Sequence, residues 1–288
     1  MNAISRSIDL EPRNEHFHFE TNERKYWFDG DPVKTVFWNA LSIMFPEGEK
    51  FFMESVKNKR KLVEDPVLQK QIDGFLTQEA MHTREHVMYN KQLDAQGFSA
   101  TDLHLELKAF LGALKKRIGK NRMLAVTCAL EHFTAMMADR VLRDETIFGA
   151  ADEQYRRVWT WHALEEAEHK GVAYDTFLAA VPNRQRRYLM RCAAMVGTSI
   201  IFNYFILKHT GRMMKDVGIS RSPKAWGNLA KYLLGKPGLY RQIFFPWLDY
   251  FKPGFHPWDH DNRQEMAKVE RTVASWHAKE PALAGSAA

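Results

Sequence analysis

The sequence predicts an all-α fold: a helical bundle with additional helices and an irregular, aromatic-rich cover towards the C-terminus. Apolar residues recur at helical spacings of three and four along most of the chain up to residue 217. The sequence has no strand-like alternation of useful length and no internal repeat. We divide it into an N-terminal arm (1–34), the bundle (35–217) and a cover with its tail (218–288), and expect the cover to share a domain with the bundle.

Capping residues and breaks place the helices of the bundle. The first is expected at about 35–58, with Pro46 marking its start or a kink. Asp65 and Pro66 then open a second helix, as an N-cap followed by proline at the first helical position, and Gly97 closes it. The remaining helices are expected at about 103–118, 122–144, 152–181 and 184–217.

The longest apolar run, at 192–207, contains Gly, Thr, Ser and Asn and is shorter than the ~18 to 20 residues of a membrane span. We interpret it as a buried core helix, with an interfacial helix as the second interpretation. The aromatic-rich residues 240–258 are expected to cap the bundle, the alternative being contact with a membrane surface. The polar cluster HPWDHD at 256–261 is interpreted as a turn, and the final EPALAGSAA as a frayed tail.

Composition and charge exclude several classes of function. A net charge of +6 on 288 residues permits an anionic substrate or a membrane surface, but the chain lacks the concentrated basic stripe typical of nucleic-acid binding. The short basic run at 57–61 is interpreted as a solvated helix end. Cys128 and Cys192 lie in apolar stretches and are expected to be small buried residues, so a reducing cytoplasm is the expected location.

Two of the expected helices carry a Glu-x-x-His motif on an apolar face. Glu79 and His82 are three positions apart, so their side chains point the same way from a helix. His162, Glu166 and His169, at spacings of four and three, form a similar stripe. A single such motif is usually a solvated pair on an amphipathic helix, so the repetition is what indicates a shared site.

Two further carboxylates, Glu49 and Glu131, lie within apolar faces of the first helix and of the helix at 122–144. An isolated carboxylate buried there would lose much of its solvation energy, so it needs a partner or a metal. One Glu from each of two helices plus a Glu-x-x-His from each of two others is the ligand set of di-iron and di-manganese carboxylate bundles. The absence of thiolates from this set favours iron or manganese over structural zinc.

Three neighbouring residues leave alternatives open. Glu165 has helical spacings to the histidines of its helix that are as favourable as those of Glu166, and only the repeated motif favours Glu166. His86, one turn beyond the first motif, could be an eighth ligand, a donor behind the ligands or a proton shuttle. His132 points about 100° away from the carboxylate that precedes it and is interpreted as a core or surface residue.

The stretches PEGEKFF, QEAMHTREH, ALEHFTA and WHALEEAEHKGVAYD, within residues 35–180, resemble the bacterial family catalogued as predicted metal-dependent hydrolases. FHPW at 255–258 resembles that family more weakly. The order of acidic residues and histidines is similar to the ferritin-like di-metal carboxylate superfamily, and the His-x-x-x-Glu-x-x-His stripe resembles the seven-ligand site of arylamine N-oxygenases. The resemblance implies a ferritin-like four-helix bundle with the metal ligands Glu49, Glu79, His82, Glu131, His162, Glu166 and His169.

These features favour an O2-activating oxidoreductase with two iron ions, manganese being the alternative metal, and with O2 as co-substrate. Because the sequence has no flavin or nicotinamide motif, electrons are expected from an external donor, and the substrate is expected to be a small organic molecule. The second hypothesis is a metal-dependent hydrolase that uses the same site, and the third is a non-enzymatic metal-binding protein. The catalytic residues and the oligomeric state are left open, a homodimer being compatible with the sequence.

Overall fold

The computed structural model describes residues 1–21, 24–144 and 146–279. Over these residues the fold is all-α, as the sequence predicts, and an isolated β-bridge joins Phe28 to Ala151. The tail predicted at 280–288 lies outside the described residues. The helices are α1 (Ala3–Ser7), α2 (Pro32–Lys57), α3 (Pro66–Ala95), α4 (Ala100–Arg117), α5 (Lys120–Arg143), α6 (Glu153–His169), α7 (Val172–Ala180), α8 (Arg184–Asp216), α9 (Pro223–Leu234), α10 (Leu239–Asp249) and α11 (Arg263–Lys279), with short 3-10 turns at Phe19–Thr21, Arg60–Leu62 and Pro257–Asp259.

Four helices form the centre of the molecule. α2 packs along α3, α5 packs along α6, and contacts of α2 with α5 and of α3 with α6 close the four into a bundle. α4 and α8 cover the outer side of α2, while α10 and α11 lie against α5 and α6. The helices that carry the acidic residues and histidines singled out in the sequence therefore share one interior.

The two long helices that begin with proline are capped by aspartate. Asp65 accepts a hydrogen bond at 3.0 Å from a backbone N–H in the first turn of α3, which confirms the predicted cap. Asp31 caps α2 in the same way at 2.8 Å. A helix start at Pro46 is wrong, because α2 already begins at Pro32 and continues through Pro46. The start signal lies in the turn-like FDGDP segment, whose aspartate and proline act as cap and first helical residue.

The single helix predicted at 152–181 is two helices, α6 and α7, with a break at Lys170 and Gly171. A Cβ atom at Gly171 would lie 2.8 Å from Trp258 Nε1 and 3.0 Å from Ser5 Oγ, so the chain bends where two distant segments pack directly against its backbone. Those segments are remote in sequence, so the hydrophobic periodicity around Gly171 could not predict the break.

The N-terminal segment packs into the core through its aromatic side chains. Trp27 is fully buried, stacks on Tyr155 with ring centroids 4.7 Å apart and donates a hydrogen bond to Asn39 at 2.8 Å. Phe19 stacks on Tyr89 at 5.0 Å. These contacts hold the segment against α3 and α6, on the outer side of the bundle interior.

α8 differs from the buried core helix predicted at 192–207. One of its faces is exposed, with Val196 at 48% and Ile200 at 67%, while the opposite face packs on the bundle. α8 is long and apolar enough, by length and composition alone, to cross a membrane, and 33% of its most apolar stretch is buried. Cys128 is buried as predicted, whereas Cys192 on α8 is half-buried. The apolar composition of a helix therefore does not predict how many of its faces are buried in the fold.

Candidate metal centre

Acidic residues and histidines from α2, α3, α5 and α6 meet in the bundle interior, and each is at most 2% exposed. Most of them form overlapping groups of three whose ligand atoms lie within 4.8 Å of one another. Glu131 joins these groups through His169, whose Nε2 lies 3.6 Å from Glu131 Oε2. The residues brought together in this way are Glu49, Glu79, His82, His86, Glu131, His162, Glu166 and His169.

Many of the buried polar atoms in this interior make no hydrogen bond. An unsatisfied buried donor or acceptor costs about 1–3 kcal/mol, so proteins rarely leave several together. The atoms are Glu49 Oε1, both carboxylate oxygens of Glu79 and of Glu131, His82 Nδ1, Glu166 Oε2 and His169 Nε2. Carboxylate oxygens and imidazole nitrogens are the donors that iron, manganese and zinc accept, so these side chains fit a bound metal.

Partners outside the cluster orient two of the histidines. His82 Nε2 lies 3.0 Å from Glu165 Oε2, and His169 Nδ1 lies 3.2 Å from Gln78 Oε1. When these nitrogens donate outwards, the lone pairs of His82 Nδ1 and His169 Nε2 face the interior, the arrangement typical of histidines that bind metals. The two glutamates that helical spacing could not separate are thus placed differently: Glu166 faces the cluster and Glu165 lies behind His82.

An arginine from the N-terminal segment holds this outer layer. Arg13 donates to Glu168 at 2.6 and 2.9 Å, and its backbone N–H donates to Glu165 at 2.8 Å. Glu168 in turn accepts a hydrogen bond at 2.8 Å from Gln78, the partner of His169. The sequence analysis missed Arg13, Gln78 and Glu168. Their only sequence signal is the excess of acidic residues in the EEAEH stretch of α6, which needs a cation from elsewhere.

His86 belongs to a chain of hydrogen bonds that leads away from the cluster. Ser42 donates its single proton to Asn90 Oδ1 at 2.8 Å, so its oxygen accepts from His86 Nδ1 at 2.9 Å. Neutral His86 then accepts at Nε2 from His162 Nδ1, 2.8 Å away. This order leaves His162 Nε2 as the ring atom that faces Glu166, whose Oε1 lies 2.9 Å away.

Electrostatics within the cluster indicate a missing positive charge. Burial, reinforced by neighbouring carboxylates, raises the pKa of Glu79 well above its usual range, and burial raises the pKa of Glu131 to about 8. Burial also opposes the charge of Glu166, but His169 and His162 hold its pKa well below the usual range. Burial likewise opposes the charge of His169, yet Glu166 and Glu131 raise its pKa to about 9. Four ionised carboxylates would require added cations here.

The remaining sequence candidates lie away from the cluster. His132 is 3% exposed and its Nε2 lies 3.0 Å from the carbonyl oxygen of Pro246, so of the two expected positions, core or surface, it occupies the core. His256 caps the 3-10 turn of the HPWDHD segment and contacts Asp175 at 3.1 Å. Within the described ranges, residues 256–261 contribute to no group with metal-ligand geometry.

A cavity of about 1160 Å³ lies on the other side of α2 and α5, between these helices, α4 and α8. Phe45 lines this cavity, and its ring also contacts His162 at 4.3 Å and His86 at 4.7 Å between centroids. Gly48 and Leu130, which precede Glu49 and Glu131 in the chain, line it as well. The cavity therefore borders the cluster across a single layer of side chains.

The fold and the site define an all-α protein with a buried carboxylate and histidine cluster suited to metal binding. The chain belongs to the family described as predicted metal-dependent hydrolases, because the sequence model of that family matches residues 11–261. This range includes every member of the cluster as well as Arg13. No curated protein and no solved structure matches the chain. The family description indicates a metal-dependent enzyme and favours hydrolysis over oxidation.

Proposed function

We propose that this chain is a two-metal enzyme whose ligands are Glu49, Glu79, His82, Glu131, His162, Glu166 and His169. The observation that carries the proposal is the convergence of buried carboxylate oxygens and imidazole nitrogens that make no hydrogen bond. Four carboxylates balance the charge of two divalent cations, and the combination matches the ligand set of ferritin-like carboxylate bundles. When bound, the metal pair supplies Lewis-acid chemistry and, if it is iron, redox chemistry.

The protein's own residues prepare this site. Thr83 donates to Glu49 Oε2 at 2.7 Å, which leaves Oε1 directed into the interior. Glu165 and Gln78 hold His82 and His169 from outside. The hydrogen bonds from His162 through His86 to Ser42 fix the orientation of the His162 ring. Because His162 Nε2 would bind metal and so could not take up a proton, we assign His86 as a positioning residue.

The first candidate reaction is metal-dependent hydrolysis, which the family description favours. Hydrolysis needs an activated water and groups that accept its proton. The carboxylates of the cluster provide such groups, since a carboxylate oxygen that binds no metal can accept a proton.

The second candidate is O2-dependent oxidation with two iron ions, or manganese, and electrons from an external donor. The specific observation in its favour is the large cavity bordering the centre, whose lining is mainly apolar and contacts the histidines through Phe45. An apolar substrate consists mainly of C–H and C–C bonds, which an oxidase can attack, and has few ester or phosphoester bonds for a hydrolase to cleave. The lack of any cysteine in the cluster agrees with iron or manganese.

Reloading the metal-free protein separates these candidates. Chelated protein is loaded anaerobically with Fe(II), Mn(II) or Zn(II), and metal content is measured before O2 is admitted. We expect about two ions per chain. Turnover of ester or phosphoester substrates without O2, in the Mn(II) or Zn(II) form, would establish the hydrolase, whereas O2 consumption restricted to the Fe(II) form would establish the oxidase. Metal binding with neither activity would favour a non-enzymatic metal-binding protein, and failure to bind any of the three metals would overturn the proposal.

A further inference from the structure

The cavity beside the metal centre has one charged end and one apolar end. Its charged end is lined by the cationic residues Lys59, Lys120, Arg122 and Arg186. Its opposite end is lined by Leu41, Leu107, Phe110 and Phe205. The cations lie beyond the C-terminal end of α2 and at the N-terminal ends of α5 and α8. Leu41 lies nearer the N-terminal end of α2 and Phe205 lies further along α8, so both helices place their apolar lining residues away from the cations.

The cations at the charged end have no acidic counterpart. No aspartate or glutamate lines the cavity, and in the part of the chain that the structure describes none of the four cations forms an ion pair. α5 also begins at this end without a side-chain cap, so its first backbone N–H groups add to the positive potential. A cluster of unpaired cations over an apolar cavity is complementary to an anion that carries an apolar chain.

The dimensions fit an extended chain. The cavity lining on α8 runs from Gln185 to Phe205, a helical rise of about 30 Å at 1.5 Å per residue. On α5, Lys120 at the charged end is separated by a rise of about 15 Å from Leu130, which precedes the proposed ligand Glu131. The metal centre therefore borders the middle of the cavity and not its mouth.

We propose that the cavity binds a long-chain amphiphile with an anionic head group, the head between the cations and the chain along α2 and α8. The proposal that this amphiphile is the substrate of the metal centre rests on the proposed function. The binding itself involves none of the proposed metal ligands. The shared chemistry is an anionic head, which a fatty carboxylate and a lysophospholipid phosphate both provide.

Displacement of a fluorescent fatty acid from the full-length protein tests the binding. The probes are palmitate, lysophosphatidate, hexadecanol and acetate, each with metal-loaded and metal-free protein. We expect palmitate or lysophosphatidate to displace the probe, hexadecanol to be about tenfold weaker and acetate to have no effect. The stronger of the two anions identifies the head group. Equal binding of hexadecanol would overturn the anionic head, and absence of binding by every long-chain probe would overturn the proposal.

Variants with matched controls locate the ligand. Gly197 lines the cavity on α8 and Gly112 on α4 does not, and an added Cβ atom meets no neighbour at either position. Gly197→Leu is expected to weaken long-chain binding at least tenfold, while Gly112→Leu leaves it unchanged. The pair Lys120→Ala and Arg186→Ala is expected to weaken palmitate and not hexadecanol. If Gly197→Leu binds palmitate as tightly as Gly112→Leu does, the cavity is not the site.

Amphiphile binding and metal binding can fail separately. If the protein binds palmitate but never takes up metal, the amphiphile site is supported and the two-metal enzyme is ruled out. If the protein takes up metal but binds no amphiphile, the metal centre is supported and the proposed substrate class is ruled out.

Discussion

Two neighbouring interiors share the helices α2 and α5 and differ in almost every property. On one side the helices present buried carboxylates to α3 and α6, and many polar atoms there lack hydrogen bonds. On the other side they face α4 and α8 across a large and mainly apolar space whose charges lie only at one end. The carboxylates of the first interior outnumber its positive charges, so it is complementary to cations. The apolar side chains of the second interior face open space, so it is complementary to an apolar ligand.

The comparison shows that a helix can serve two sites through adjacent faces. On α2, Phe45 and Glu49 are one turn apart, and Phe45 reaches both the cavity and the rings of His86 and His162. Changes on the cluster side should therefore act through charge, and changes on the cavity side through volume. The following variants test that distinction.

The largest effect is expected from Glu131→Ala. Removing a proposed ligand carboxylate from the centre of the bundle should reduce the metal content from about two ions per chain towards none. Metal analysis after anaerobic loading measures this. Glu54→Ala is the matched control, since Glu54 also lies on a bundle helix but is exposed and paired with Lys115 at 2.7 Å. An unchanged metal content in Glu131→Ala would remove Glu131 from the ligand set.

The pH dependence of stability should reverse between the metal-free and metal-loaded protein. The pKa of Glu131 is about 8 in the fold against 4.5 in its absence, so without metal this group stabilises the fold below about pH 4.5 and the contribution is lost as pH rises to 8. The raised pKa values of Glu49 and Glu79 act in the same direction. Metal binding instead requires ionised carboxylates and should strengthen with pH.

Urea unfolding at pH 5.5 and pH 8, with a chelator or with saturating metal, measures this reversal. We expect the metal-free protein to lose roughly a few kcal/mol between these pH values and the loaded protein to gain stability. Parallel pH profiles for the two forms would contradict the assignment of the carboxylates to a metal site.

A smaller effect is expected from Arg13→Ala, which leaves every proposed ligand in place. Losing the guanidinium frees Glu168, which holds the Gln78 partner of His169, and removes a cation 3.5 Å from Glu165, the partner of His82. Metal affinity should therefore fall about 10- to 100-fold. Competition with a chromophoric chelator measures the affinity. Arg6→Ala removes an exposed pair with Asp65 in the same segment and should not change it. Equal affinities for the two variants would show that the outer layer does not tune the site.

The smallest effect is expected on the cavity side. Ala194 on α8 lines the cavity, so Ala194→Leu fills apolar space and should stabilise the metal-free protein by roughly 0.5–1 kcal/mol without changing its metal content. Ala113→Leu on the exposed face of α4 is the control and should be neutral. A loss of metal in Ala194→Leu would mean that the two interiors are coupled more tightly than the shared helices suggest.

The helical spacing of the motifs predicted the residues that meet in the cluster, because positions three and four apart lie on one helix face wherever that helix packs. The same regularity could not separate Glu165 from Glu166, since both spacings are compatible with one face. Arg13 could not be predicted, because it reaches Glu165 only after the N-terminal aromatic residues pack against α3 and α6. The break at Gly171 likewise depends on Trp258, a partner from the far end of the chain.

The separation between the cationic mouth and Leu130 has a consequence for regiochemistry. With its head held at Lys120, an extended ligand would present to the centre a bond about 15 Å from the head, whatever the total length of the chain. Homologous substrates would then be altered at a constant position counted from the head, and the excess length would extend towards Phe205. Identifying the altered position in the products of substrates with different chain lengths measures that distance from the head group directly.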